Sequence, residues 1–240
     1  ACEKIGAVSI QHYTGTIGGN ILQDNRCHHY NQSDFYRSGR QACHKDGGKI
    51  CYAREEADRC NSTCQSDGAT ALMALDAKLC LVSKNAERNV EFTRFYTSDG
   101  IMPFAMESHE LLKEILIPVQ GAQSAYQRLA FRSAVDYPMV CAGVLLKPSL
   151  KNEIADARIV VGAMGRSPLF LAGESSALKG INLTHTEAFK KAAHASCNSA
   201  AAFAVHNVGA TLEYRCDMVF EMVFRALKDA AAHAAIDANA

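Results

Sequence analysis

Five of the ten cysteines, Cys27, Cys43, Cys51, Cys60 and Cys64, fall within 38 consecutive positions of a polar stretch. The surrounding island, residues 21–64, carries His28, His29, Asn31, Gln32, Ser33 and Asp34, then Gly39, Gly47, Gly48 and the charged run Arg54-Glu55-Glu56. A connection this long and polar is foreign to the interior of a compact domain, so something other than a hydrophobic core must order it. Thiolates are soft ligands suited to zinc, copper or iron–sulfur clusters, and so many free thiols on a polar loop would be prone to oxidation. The first four cysteines stand 16, 8 and 9 positions apart, unlike the closely paired C-x2-C of zinc ribbons and small ferredoxins. Spacing alone leaves iron–sulfur, zinc and no metal open. Cys60-x3-Cys64 has the outline of a zinc half-site, with His28, His29 or His44 as imidazole ligands.

The island follows directly on Thr16-Ile17-Gly18-Gly19-Asn20. Adjacent glycines let backbone N–H groups approach an anion, Thr16 and Asn20 add neutral donors, and Ile21-Leu22 can begin a helix whose N-terminus faces the ligand. The turn is not a G-x-G-x-x-G fingerprint. A thiolate cluster beside a phosphate cradle points to two redox centres a short distance apart, hence to electron transfer.

Lysine plus arginine equals aspartate plus glutamate at 25 each, so no overall field draws the chain to nucleic acid or an anionic membrane. Apolar runs such as 138–146 fall far short of the roughly 20 residues of a bilayer span, and a soluble, cytoplasmic protein is expected. The chain is too rich in core-forming residues to need a disulfide framework. No charged-then-apolar leader opens it, and Ala1 in place of methionine leaves processing open. Cys80 and Cys141 read as small core residues, Cys197 and Cys216 fall in helix-like segments with no second thiol nearby, and Cys2 is terminal. No serine, histidine or aspartate lies on a nucleophile elbow or metalloprotease helix.

Along the chain, residues 68–77 read as an alanine-rich helix feeding a strand at 78–83. Ser108 reads as the N-cap of a short helix over Glu110-Leu111-Leu112, ahead of Ile115-Leu116-Ile117, which Pro118 ends. The polar connector 121–124 marks a boundary between domains 1–120 and 121–240. Three apolar runs, 126–132, 139–146 and 154–162, suit an antiparallel meander. Thr184-x-x-Glu187 has the form of a capping box opening a helix to about Val205. A second helix over 212–232 carries Met218, Val219, Met222, Val223, Ala226 and Leu227 on one stripe, and 230–240 reads as a fraying end. The fold class expected is α+β.

The order of motifs resembles a known family. Gly15 to Asn20, then Asp67 ahead of Ala71-Leu72, then Glu110 to Pro118, then Arg132-x3-Asp136-Tyr137-Pro138-Met139-Val140 looks like the FAD-binding subunit of the molybdenum hydroxylases, among them xanthine dehydrogenase and carbon monoxide dehydrogenase flavoproteins. Residues 157–163 and Glu213-Tyr214-Arg215 resemble that family's C-terminal domain. Arg26-Cys27, Tyr30-Asn31-Gln32-Ser33 and the cysteine intervals resemble the branch of 4-hydroxybenzoyl-CoA reductase flavoproteins, in which an inserted loop holds a 4Fe-4S cluster.

The resemblance implies the second lobe of a PCMH-like FAD-binding domain with an iron–sulfur insertion at about 24–64, then a C-terminal three-stranded antiparallel sheet with helices. It implies Cys27, Cys43, Cys51 and Cys60 as cluster ligands with Cys64 a bystander, and Thr16, Ile17, Gly18, Gly19 and Asn20 on the FAD pyrophosphate. Asp67 would hydrogen-bond the cofactor, Leu112 would pack near its adenine or flavin, and Arg128, where lysine is frequent, would supply charge. The further lobe with the other glycine-rich FAD loop is missing, so a separate polypeptide supplies it or the sequence is a fragment.

The activity implied is that of an oxidoreductase subunit passing electrons between a ferredoxin-like donor or acceptor, the 4Fe-4S cluster, FAD, and partner subunits holding 2Fe-2S clusters and molybdenum cofactor. Reductive dehydroxylation of an aromatic acyl-CoA is the reaction expected of that complex. A xanthine or aldehyde dehydrogenase-type FAD subunit and a non-flavin scaffold with a structural zinc loop are the alternatives.

Overall fold

In the computed structural model the helices are α1 (Gln11–Thr14), α2 (Ile17–Ile21), α3 (Asp34–Ser38), α4 (Asp67–Ala74), α5 (Phe92–Phe95), α6 (Ala172–Ser176), α7 (Thr186–Phe203) and α8 (Leu212–Asp237). The strands are β1 (Lys78–Val82), β2 (Glu87–Glu91), β3 (Leu111–Leu116), β4 (Gln123–Leu129), β5 (Val140–Pro148), β6 (Ile154–Gly162) and β7 (Leu169–Phe170). The structure describes residues 1–118, 121–133, 135–207 and 209–237.

The larger sheet runs β4-β5-β6-β7, antiparallel throughout. Its alternation divides the work of two faces. Val140, Ala142, Val144 and Leu146 of β5 and Ala157, Ile159 and Val161 of β6 join a core completed by α7 and α8. The predicted stripe on α8 is there, with Val219, Met222, Val223, Ala226 and Leu227 all buried. On the opposite face the intervening residues Cys141 and Gly143 of β5 and Gly162 of β6 meet α4. A Cβ at Gly143 would stand 3.0 Å from Ala74 Cβ, and one at Gly162 would stand 2.1 Å from Thr70 Oγ1. The two glycines let α4 lie flat on the sheet. Both faces are thus covered, which is why β5 reads as an unbroken apolar run.

The smaller sheet, β2-β1-β3, is also antiparallel. Leu79 and Leu81 point to a core shared with Ile21, Met73, Phe92 and Phe95, while Cys80 faces away with Sγ 3.1 Å from Glu87 Oε1. Ser66 caps α4 by accepting from Ala69 N at 3.0 Å.

Several expectations need correcting. The short helix expected at 108–112 is a turn leading into β3, whose residues pair with β1. Glu110 is held there by Arg88, through Nε at 2.6 Å and Nη2 at 2.8 Å, and by Glu107 N at 2.8 Å. The C-terminal sheet gains a fourth, two-residue strand, β7, added to the edge of β6. The cap of α7 is His185, whose Nδ1 accepts from Ala188 N at 3.1 Å, whereas Thr184 bonds to Asn182 instead. The tail does not fray at 230: α8 continues to Asp237 with Ala230, Ala231 and Ala234 buried, and 238–240 lie outside the described residues. Cys216 on α8 has a second thiol nearby after all: burial raises it first, and Cys197 of α7 raises it further.

The Arg88 guanidinium, helped by the Glu107 N–H, holds the Glu110 carboxyl down at about 2, against an ordinary 4.5. A depressed carboxylate stabilises the fold at pH above the unfolded value and loses that contribution as pH falls through the folded one. Glu110→Gln is therefore expected to lower stability at neutral pH, with the gap to the parent narrowing between pH 4.5 and about 2. Urea midpoints measured across that range check it; a constant gap would contradict it.

Candidate functional site

Thr16 caps α2 by accepting from Gly19 N at 3.0 Å. Asn20, one turn on, accepts through Oδ1 from Ser66 Oγ at 2.8 Å and Gly68 N at 3.0 Å. Both side-chain oxygens are therefore used within the protein, and the segment expected as a loose glycine turn is a helical turn pinned to the start of α4. Gly68 is what permits this approach, since a Cβ there would meet Asn20 Oδ1 at 2.6 Å and Ile17 Cδ1 at 2.9 Å.

Two clefts open on either side of α2 and share Cys2, Thr16 and Ile17 as lining residues. The first, about 670 Å³, is lined by Gly19, Asn20, Gln65, Asp67, Arg132, Asp136 and Tyr137 among others. The second, about 900 Å³, is lined by Gly18, Gly68, Leu72, Leu112, Ile115 and Tyr126 among others. Each falls within the size range of a cofactor pocket. Of the residues expected at the cofactor, Thr16, Ile17, Gly18, Gly19, Asn20, Asp67 and Leu112 all line one cleft or both.

Arg128 lines neither. Its guanidinium lies behind the wall, donating through Nε to Asp67 Oδ1 at 2.8 Å and also to the Asp136 carbonyl. Asp67 further accepts from the Tyr126 hydroxyl at 2.6 Å. Tyr126 and Arg128 alternate along β4 and share the face turned toward α4. Burial pushes the Asp67 carboxyl up, opposed by the Tyr126 hydroxyl and the Arg128 charge. Structurally, the trio fastens the start of α4 to β4.

Cys27, Cys43, Cys51 and Cys60 line one small enclosed cavity together with His29, Tyr30, His44, Lys45, Asn61 and Ser62. Local backbone geometry brings them there. Arg26 and Thr63 pair as an antiparallel bridge, setting Cys27 beside the 60–64 segment. Cys43 pairs with Ile50 across a tight reversal in which Gly47 adopts φ +82°, and a Cβ at Gly48 would collide with the Ala42 carbonyl. Cys60 packs against Gly100, where a Cβ would stand 2.7 Å from Sγ.

The cavity is furnished for sulfur. The backbone of His29 and Tyr30 favours the Cys27 thiolate against the larger effect of burial, and Asn61 Nδ2 lies 3.7 Å from Cys51 Sγ. Lys45, held by Asp24 at 2.7 Å and the carbonyls of Asn25 and Gly100, brings a positive charge toward Cys60. Burial favours the neutral thiol at two of the four: Cys27 is pushed up to about 11, and Cys60 is raised too. Cys64 lies in the hydrophobic core away from the cavity, also raised by burial to about 11.

The island is tied to the C-terminal half. Asn207 donates to the Arg26 carbonyl and to Thr63 Oγ1, both at 2.8 Å, and accepts from His28 N at 2.9 Å. Asn25 Nδ2 donates to the carbonyls of Ser62 and Arg166, and Arg166 in turn donates to Asn61 Oδ1 at 3.1 Å. Arg215, fully buried on α8, secures the receiving loops by donating to the carbonyls of Met139, Ala163 and Val205. Sequence reading missed Asn25, Asn61, Asn207 and Arg166, whose partners are mostly distant in the chain. The cavity and the first cleft are linked through one contact: the guanidinium of Arg26, the residue before Cys27, lies 4.3 Å from the ring centroid of Tyr137, which lines the cleft.

Among the described residues no helix is long and apolar enough to cross a membrane. Residues 1–120 match the FAD binding domain in molybdopterin dehydrogenase, and residues 124–230 the CO dehydrogenase flavoprotein C-terminal domain. A nicotinate dehydrogenase FAD-subunit of Eubacterium barkeri is 29% identical over 126 residues, 51% of this chain and 43% of the relative. CO dehydrogenase from Oligotropha carboxidovorans superposes with a TM-score of 0.68 at 24% identity, over 95% of this chain and 65% of that one. Quinoline 2-oxidoreductase from Pseudomonas putida 86 does so at 0.60 and 19% identity, over 70% and 56%. At these identities the two structural likenesses speak for the fold alone. The chain spans less than half the length of the nicotinate dehydrogenase subunit. With half of its residues matched by that one family and most of the remainder by the C-terminal domain, the chain belongs to the FAD-binding family of the molybdopterin dehydrogenases.

Proposed function

We propose that this chain is an electron-transferring flavoprotein component of a molybdenum hydroxylase complex, holding FAD in the furrow along α2 and a 4Fe-4S cluster on Cys27, Cys43, Cys51 and Cys60. The observation that carries the reading is the convergence of those four cysteines, scattered over the island, on one cavity, next to the Arg26–Tyr137 contact that leads to the first cleft.

The donor set fits the cluster. Four thiols match its ligand count, and N–H groups beside sulfur and the Lys45 ammonium offset the charge that thiolates bring. Among the described residues no three of the cysteine and histidine ligand atoms here lie within 4.8 Å of one another, the spread suited to a single ion, which favours a larger centre over zinc. Along α2, Thr16 to Asn20 and Asp67 would bound the cofactor's polar part, and Leu112 and Ile115 offer apolar surface in the second cleft. Bound there, the flavin would supply exchange between one- and two-electron transfers and the cluster one-electron transfer.

The partners proposed are subunits bearing molybdenum cofactor and 2Fe-2S clusters, a ferredoxin-like donor or acceptor, and a lobe completing the FAD site. Reductive dehydroxylation of an aromatic acyl-CoA is the reaction proposed for the whole. Tagged protein isolated anaerobically with its co-purifying chains tests this. Flavin, iron, sulfide and molybdenum in the isolated complex are the expected result. A colourless chain with stoichiometric zinc would overturn it in favour of the scaffold.

A further inference from the structure

We propose that His29 donates a hydrogen bond from Nε2 to a sulfur of the cluster and thereby sets its reduction potential. The inference rests on the four-cysteine reading of the cavity.

His29 lines the cavity, and its Nε2 is buried without a hydrogen-bond partner among the described residues. The neighbouring polar groups are otherwise occupied. His44 Nε2 lies 3.0 Å from the Ala57 carbonyl, Asn61 Nδ2 donates to the Arg59 carbonyl at 2.9 Å, and Lys45 is held by Asp24, Asn25 and Gly100. The imidazole is held in place by its neighbours: its centroid lies 3.9 Å from that of His28 and 5.8 Å from that of Tyr52.

A buried ring nitrogen left unpaired is destabilising, so a position like this points to a partner that is not protein. The cluster offers acceptors and no donors, since its thiolate and sulfide sulfurs carry negative charge. The neutral ring has a single N–H, so the hydrogen bond to sulfur requires the tautomer that carries it on Nε2 rather than toward the nearby His206 backbone. Ligation by His29 is unneeded, because four cysteines already fill the four irons. A hydrogen bond to sulfur favours the more negatively charged reduced cluster, so it raises the potential.

His29→Leu and His29→Gln in the full chain, each purified anaerobically beside the parent, test the assignment by redox titration followed through the reduced-cluster electron paramagnetic signal. Iron and sulfide content unchanged in both, with the midpoint shifted negative in His29→Leu and restored at least in part by the glutamine amide, is the expected pattern. A parental midpoint in His29→Leu overturns the hydrogen bond. Loss of iron, or a three-iron signal, in either variant overturns it in favour of ligation. A parent protein devoid of iron and sulfide removes the four-cysteine reading itself, and is told apart because the variants then have nothing to shift.

Discussion

Asp67→Ala is expected to lower the unfolding free energy by about 3–5 kcal/mol, the cost of removing one member of a buried ion pair. The side chains of Asp67 and Arg128 are only 5% and 7% exposed, so the guanidinium would keep a buried charge with only the Asp136 carbonyl beside it. The Tyr126 hydroxyl would lose its acceptor at the same time. Because the trio joins α4 to β4, the loss falls on the contact between the smaller sheet's core and the larger sheet. Urea unfolding followed by circular dichroism measures it. A change under about 1 kcal/mol accompanied by loss of flavin would instead make Asp67 a cofactor contact with little structural weight.

On the proposed function, Cys60→Ala is expected to remove the cluster and leave the island without what orders it. Cys60 is buried, packed on Gly100 and close enough to Lys45 to feel its charge, which fixes it at the cavity. Iron content should fall to near zero, and trypsin should cut faster at Arg54 and Arg59, which sit in the same loop. Cys64→Ala is the control. Cys64 lies in the core rather than at the cavity, so its variant should keep parental iron and protease resistance. Iron retained in Cys60→Ala and lost in Cys64→Ala would exchange the roles of the two.

What could be read from the sequence was whatever repeats with a period or sits within a few residues. The stripe on α8 and the strands β1, β5 and β6 announce themselves by spacing, and α4 by its alanines with Asp67 at its first turn. The cysteine set was legible through density, although spacing alone left its metal open. The 108–112 segment misled because a serine before a leucine pair imitates a capped helix, whereas pairing with β1 and the Arg88–Glu110 contact decide its conformation. The same limit hid the setting of Arg128: charge at that position is visible in sequence, but its burial against Asp67, 61 positions away, is not. Arg215 was visible as part of a family motif, and only the fold shows that it clasps three carbonyls beneath the loop carrying Asn207.

The most direct test of the two-centre account is the iron and acid-labile sulfide content of the anaerobically purified chain, read with its electron paramagnetic spectrum before and after dithionite. The account predicts about four of each per chain and a signal that appears only on reduction. Stoichiometric zinc with no sulfide, or no metal at all, would contradict it.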